Sequence, residues 1–133
     1  AYPINRIKLY RVEDNSPEIT FGLVHGSWHR AVHFDYLRYE IENMGQRAVT
    51  IDLPTDDPNA TFDDHAEVVT QHLDGFENIV LVGHSRGGNI IPRVAGKLSV
   101  KKLIYLCSTF EPSTIGRPTD DEVFGLPVFV VNN

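Results

Sequence analysis

Residues Gly83-His84-Ser85-Arg86-Gly87 form a G-x-S-x-G pentapeptide, preceded by the apolar run Ile79 to Val82 and followed by Gly88. A strand that turns sharply into a helix lifts one serine clear of a sheet. The two glycines are needed because side chains there would strike neighbouring backbone. The chemistry open to such a serine is attack on a carbonyl carbon, with Ser85 as nucleophile in a strained backbone conformation. Backbone N–H groups at the start of the following helix, and the helix dipole, favour the negative charge that develops on the attacked oxygen. A phosphate-binding turn can occupy the same strand-to-helix position, but no Walker-type lysine follows these glycines and no G-x-G-x-x-G occurs.

A second segment bears on the same chemistry. Phe21 to Val24 reads as a strand, and it ends in His25-Gly26-Ser27-Trp28. The tetrahedral intermediate of acyl transfer needs two N–H donors: one from the residue after the nucleophile, here Arg86, and one from a loop after an earlier strand, for which Ser27 is the best candidate. Both would act through the backbone. His25 and Trp28 are candidates for the substrate pocket, with His29 and Arg30 beside them; a packed tryptophan and solvated polar residues are the alternative. The Arg86 side chain either meets an anionic group on the substrate or points outward and contributes only its N–H. Asp52-Leu53-Pro54 ends a further strand near the same edge and could shape the pocket.

The elements that must position these residues are legible from periodicity. β-rich apolar runs occur at Ile7 to Val12, Ile19 to Val24, Ala48 to Ile51, Ile79 to Val82, Leu103 to Leu106 and Val128 to Val131. The first two, separated by Glu13 to Glu18, are expected to pair antiparallel across a surface turn. Phe34, Leu37, Ile41 and Met44 have helical spacing and are followed by Gly45 as a cap; Phe62, Ala66, Val69 and Leu73 repeat the pattern, with Thr61 or Asp63 as N-cap and Gly75 as the stop. Ile91, Val94, Ala95 and Leu98 form a third stripe, in which Pro92 is expected to kink the helix. Strands alternating with helices, the central ones apolar throughout, predict an α/β fold with a mostly parallel sheet and flanking helices.

With 133 residues, 41% of them hydrophobic, the chain makes one domain. A net charge of −6 and a pI near 5.4 argue against nucleic acid or an anionic membrane surface as partner. The single cysteine, Cys107, follows an apolar run and reads as a buried, inert thiol; with no intrachain disulfide, a cytosolic location is expected. No apolar run approaches the roughly 18 residues of a membrane span, and no basic-then-apolar leader opens the chain. Oligomeric state is left open.

Four segments, Val24 to His29, Ile51 to Pro54, Val82 to Gly88 and Leu103 to Cys107, occur in the order found in small α/β-hydrolases, and the chain resembles the esterase and hydroxynitrile-lyase-like branch from about Phe21 to Pro112. The resemblance implies a Ser85 nucleophile, an oxyanion loop at His25-Gly26, a small ester-like substrate and no cofactor. It also implies a triad ordered serine, acid, histidine, yet all six histidines lie at or before His84. Glu111, Asp120, Asp121 and Glu122 read as solvated loop residues. Family members are longer, so the chain is read as lacking the C-terminal strands, with 111–133 as the start of a lid insertion or a late strand, and the base and acid expected beyond Asn133. If the chain is instead complete, Ser85 lacks its base and the domain is a binding module; a lyase acting on cyanohydrin-like substrates is a third possibility. His25, His29 and His33 are four residues apart, but without H-E-x-x-H they read as surface or supporting histidines, and the aspartates from Asp52 to Asp64 as solvated and capping groups. No metal site is expected.

Overall fold

The computed structural model describes residues 18–109 and the backbone of 122–123 and 126–131. Along the chain these are strand β1 (Thr20–Val24), a 3-10 turn (Ala31–Phe34), helix α1 (Asp35–Asn43), β2 (Arg47–Ile51), α2 (Phe62–Leu73), β3 (Ile79–Ser85), a second 3-10 turn (Arg86–Asn89), α3 (Ile91–Ala95), β4 (Val100–Ser108), β5 (Glu122–Val123) and β6 (Leu126–Val131). The expected strand at Ile7 to Val12 lies outside the described residues.

The sheet runs β2-β1-β3-β4-β6, all neighbours parallel, with β5 antiparallel on β6. Strand order reverses at β1: the chain goes out to β2, then returns to build β3 on the other side. Val24 pairs with both Ile51 and Gly83, so the carboxyl ends of β1, β2 and β3 are level and their following loops emerge side by side. Such a switch point opens a crevice at the strand ends, where ligands bind in open α/β sheets.

Alternation along the strands feeds two cores. Leu81, Leu103 and Tyr105 face α2 and α3, where Ala66, Val69, Leu73, Ile91 and Val94 cover them; Val82, Ile104 and Leu106 face α1, with Phe34 and Ile41. Helix α2 starts as expected: Thr61 is the N-cap, its hydroxyl accepts from the Asp64 N–H at 3.1 Å, and the Asp64 carboxylate accepts from the Thr61 N–H at 2.8 Å. Of the aspartates expected to be solvated or capping, Asp64 caps α2, whereas Asp63 pairs with Arg93, Asp56 with Arg30, and Asp52 accepts from the Ala31 N–H.

Three local expectations are corrected. Pro92 does not kink a helix; it sits in the first turn of α3, where the absent N–H would have had no helical partner and the fixed φ suits helix entry. Met44 lies outside α1 as its C-cap residue and is exposed, because the chain reverses at Gly45, whose φ is +80°. Cys107 is only half-buried, with φ at +45°. β4 carries a bulge there: His84 pairs with Leu106 but Ser85 with Ser108, so Cys107 is the extra residue. No helix among the described residues is long and apolar enough to cross a membrane.

Candidate active site

Ser85 ends β3 at φ +53° and ψ −121°, a conformation L-residues rarely adopt. Its glycines are required by contact. A Cβ on Gly83 would lie 2.8 Å from the Gly87 carbonyl, and one on Gly87 would lie 2.5 Å from the Val24 carbonyl oxygen. The elbow is thus wedged against the end of β1. The helix expected after the serine, with its stripe reaching Leu98, is replaced by the 3-10 turn and the five-residue α3, which carry little macrodipole. Arg86 opens the 3-10 turn, and its N–H has no preceding turn carbonyl to bond.

Across the crevice, the loop after β1 presses on the same serine. A Cβ on Gly26 would come within 2.8 Å of the Ser85 Cβ and 3.2 Å of its Oγ, so only glycine leaves the hydroxyl accessible. The His29 N–H closes a turn on the Gly26 carbonyl at 3.1 Å, leaving the Ser27 N–H, one residue into that turn, outside the turn's own bond. Beneath the loop lies His25, 1% exposed. The Leu53 N–H donates to its Nε2 at 3.0 Å, so Nε2 is bare and Nδ1–H donates to the Gly26 carbonyl at 2.7 Å. A neutral imidazole therefore ties the loop after β2 to the loop facing Ser85. Trp28 is 94% exposed and does not line the cavity beside the loop; nothing packs it as a core residue.

The sequence pattern of the Alpha/beta hydrolase family matches residues 23–131. The chain belongs to the alpha/beta hydrolase family. A carbendazim-hydrolyzing esterase from Nocardioides sp. (strain SG-4G) is 30% identical over 100 residues, covering 65% of this chain and 40% of the esterase. An extracellular alpha/beta-hydrolase from a Paenibacillus species superposes with a TM-score of 0.65 at 24% identity, over 70% of this chain and 42% of the other. A pyrethroid hydrolase from Sphingobium faniae JZ-2 superposes with a TM-score of 0.63 at 25% identity, over 77% and 47% of the two chains. The chain thus spans less than half the length of each. Solved neighbours also include histidine-to-alanine variants of a pyrethroid hydrolase and of polyneuridine aldehyde esterase, the replaced histidine numbered beyond 133 in both.

In this alpha/beta hydrolase the crevice holds a cavity of about 410 Å³ whose wall includes His25, Ser27, Phe62, His65 and Arg86. The Arg86 guanidinium lies over the Phe62 ring at 5.2 Å. On the far side of His25 the rings of His29, His33 and His84 meet edge to face at 5.0 and 5.2 Å. Among the described residues no His, Cys, Asp or Glu cluster is arranged to hold a metal ion.

Sequence reasoning missed the group that holds the elbow in place. The Ser85 carbonyl accepts from the Ser108 hydroxyl at 2.8 Å, the Thr109 N–H at 3.0 Å and the Thr109 hydroxyl at 3.2 Å. The bulge at Cys107 delivers these donors, and Gly88 admits them, since a Cβ there would overlap the Ser108 hydroxyl and the Thr109 carbonyl. Ser-Thr after an apolar run was the available signal, but nothing in one dimension ties it to Ser85. Ser108→Ala is expected to lower stability by about 1 kcal/mol, one neutral hydrogen bond. It should also slow covalent labelling of Ser85 by a serine-directed probe; an unchanged rate would show that the clamp does not orient the Ser85 side chain.

His25, His65 and His84 all have pKa values lowered chiefly by burial; at His25 the Gly26 hydrogen bond and Asp52 oppose this, and His29 and His33 reinforce it. The unfolded chain takes up protons on these rings below about pH 6.5, whereas the folded chain resists them. Their stabilisation is full above that pH and is lost as pH falls toward the lower folded values. Asp64 and Glu67, lowered by Thr61 and by Lys97 respectively, act in the same direction, but only in the more acidic carboxylate range. The melting temperature should therefore already fall between pH 7.5 and 5.5 in calorimetric scans; a flat profile there would contradict the neutral His25 bridge.

Proposed function

We propose that this domain belongs to a serine hydrolase that cleaves small ester-like molecules, with Ser85 as nucleophile and the Ser27 and Arg86 amides as oxyanion donors. The observation that carries the reading is the strained Ser85 at the carboxyl end of β3, with the Gly26 turn against its hydroxyl. Ser85 Oγ attacks the ester carbonyl and its proton passes to a general base. The oxyanion is held between two N–H groups, and the alcohol leaves as the acyl-serine forms; water then releases the acid.

No histidine among the described residues hydrogen-bonds Ser85. In this reading the base and its acid are supplied by residues following Asn133. The same observation favours a second reading, a noncatalytic relative that binds small molecules in the crevice. A fluorophosphonate probe separates the two. Full-length protein should be labelled once, at the peptide containing Ser85, and the folded Ser85→Ala variant should not. An unlabelled wild-type protein of native melting behaviour would establish the binding module instead.

A further inference from the structure

We infer that the cavity beside the elbow selects esters carrying a carboxylate, and that the Arg86 guanidinium recognises it. The inference rests on the serine-hydrolase reading and specifies its substrate class.

Arginines among the described residues otherwise sit on carboxylates: Arg30 on Asp56, Arg38 on Asp35, Arg47 on Glu18 and Arg93 on Asp63. Arg86 has no such partner among them. It has the face of Phe62, whose ring also lies 5.7 Å from the neutralised Arg93. Stacking on a ring orients a guanidinium while leaving its in-plane N–H donors directed outward, the arrangement that suits a carboxylate. None of the described residues lining the cavity is Asp or Glu; Asp57 and Asp64 lie near His65, and Arg86 brings the positive charge to the wall. Arg86 is thus an exposed arginine stacked on Phe62, with no carboxylate partner among the described residues, on the wall of the cavity that both oxyanion donors line.

The position also sets the ligand's form. Arg86 supplies its N–H to the oxyanion and its guanidinium to the cavity wall, so one substrate meets both when carbonyl and carboxylate are separated by a short spacer. That describes half-esters of short dicarboxylic acids, or esters whose leaving alcohol carries the acid.

Full-length protein is assayed on two matched pairs: p-nitrophenyl hydrogen glutarate against p-nitrophenyl valerate, and 3-acetoxybenzoate against phenyl acetate. The carboxylate member of at least one pair should be preferred in kcat/KM by about tenfold or more at low salt, with the preference shrinking as salt rises. The pair that shows it tells whether the acyl or the alcohol side enters the cavity. Arg86→Gln should abolish the preference, read as the ratio of kcat/KM within a pair whatever the absolute rate, and Arg86→Lys keep part of it, with melting confirming a folded protein in each. Turnover without preference in either pair, or a preference that survives Arg86→Gln, overturns the inference and leaves the hydrolase reading standing. No turnover of any ester together with no labelling of Ser85 overturns both.

Discussion

Ser85→Gly is expected to melt a few degrees above the parent protein while turnover falls by about a millionfold. The rate loss follows from the proposed chemistry: with Ser85 as the nucleophile, its removal leaves only binding and oxyanion stabilisation, a deficit of order 10⁶ in kcat. The stability gain follows from the backbone. At φ +53° and ψ −121°, a residue with a Cβ is strained by about 1–3 kcal/mol, and glycine relieves most of this while giving back under about 1 kcal/mol in unfolded-state entropy. Nothing is lost in exchange, because the Ser85 hydroxyl makes no hydrogen bond among the described residues and the clamp from Ser108 and Thr109 grips the carbonyl, which glycine retains. Ser85→Ala isolates the two effects, since it loses the nucleophile and keeps the strain. Calorimetry and ester turnover on the three proteins decide the matter: a glycine variant that melts lower removes the strain argument, and one that retains turnover removes Ser85 from the mechanism.

Gly87→Ala should destabilise the fold by at least about 3 kcal/mol, or prevent folding. The added methyl would stand 2.5 Å from the Val24 carbonyl oxygen and 3.3 Å from that of His25, both backbone atoms of a central strand end that has no rotamer to yield. Moving them apart would separate β1 from the elbow and carry the Gly26 turn away from Ser85. Gly96→Ala supplies the comparison: a Cβ there meets nothing closer than the Arg93 carbonyl oxygen at 3.4 Å, and φ is −75°. It should be neutral or slightly stabilising, by under about 1 kcal/mol. Urea titrations of both variants test the contrast, and near-equal midpoints would mean that the elbow is not wedged against β1.

Much of this architecture could be read in one dimension, for reasons that are local. A five-residue apolar run needs no partner to announce a strand, and Thr61 with Asp64 closes its capping box within one turn of chain. The glycines of the elbow are legible because the steric demand of a strand-to-helix reversal is met by the pentapeptide itself. Pro92 shows where local reasoning slipped: its effect depends on whether the helix has already begun, and the 3-10 turn before it shifts that start to Ile91.

What the sequence by itself determined was therefore the α/β alternation, the serine elbow and the His-Gly turn opposite it, all of them consequences of residues near in the chain. The tertiary structure decided what those parts do to one another. It put Gly26 against Ser85, linked buried His25 to Leu53 28 positions away while holding it to Gly26, and used the bulge at Cys107 to bring Ser108 and Thr109 onto the Ser85 carbonyl. It also put Arg86 on Phe62, with no acid beside it among the described residues. These contacts join strand ends, the loops after them and the start of α2, placed by sheet order and register, and register is a property of paired strands that no single segment encodes.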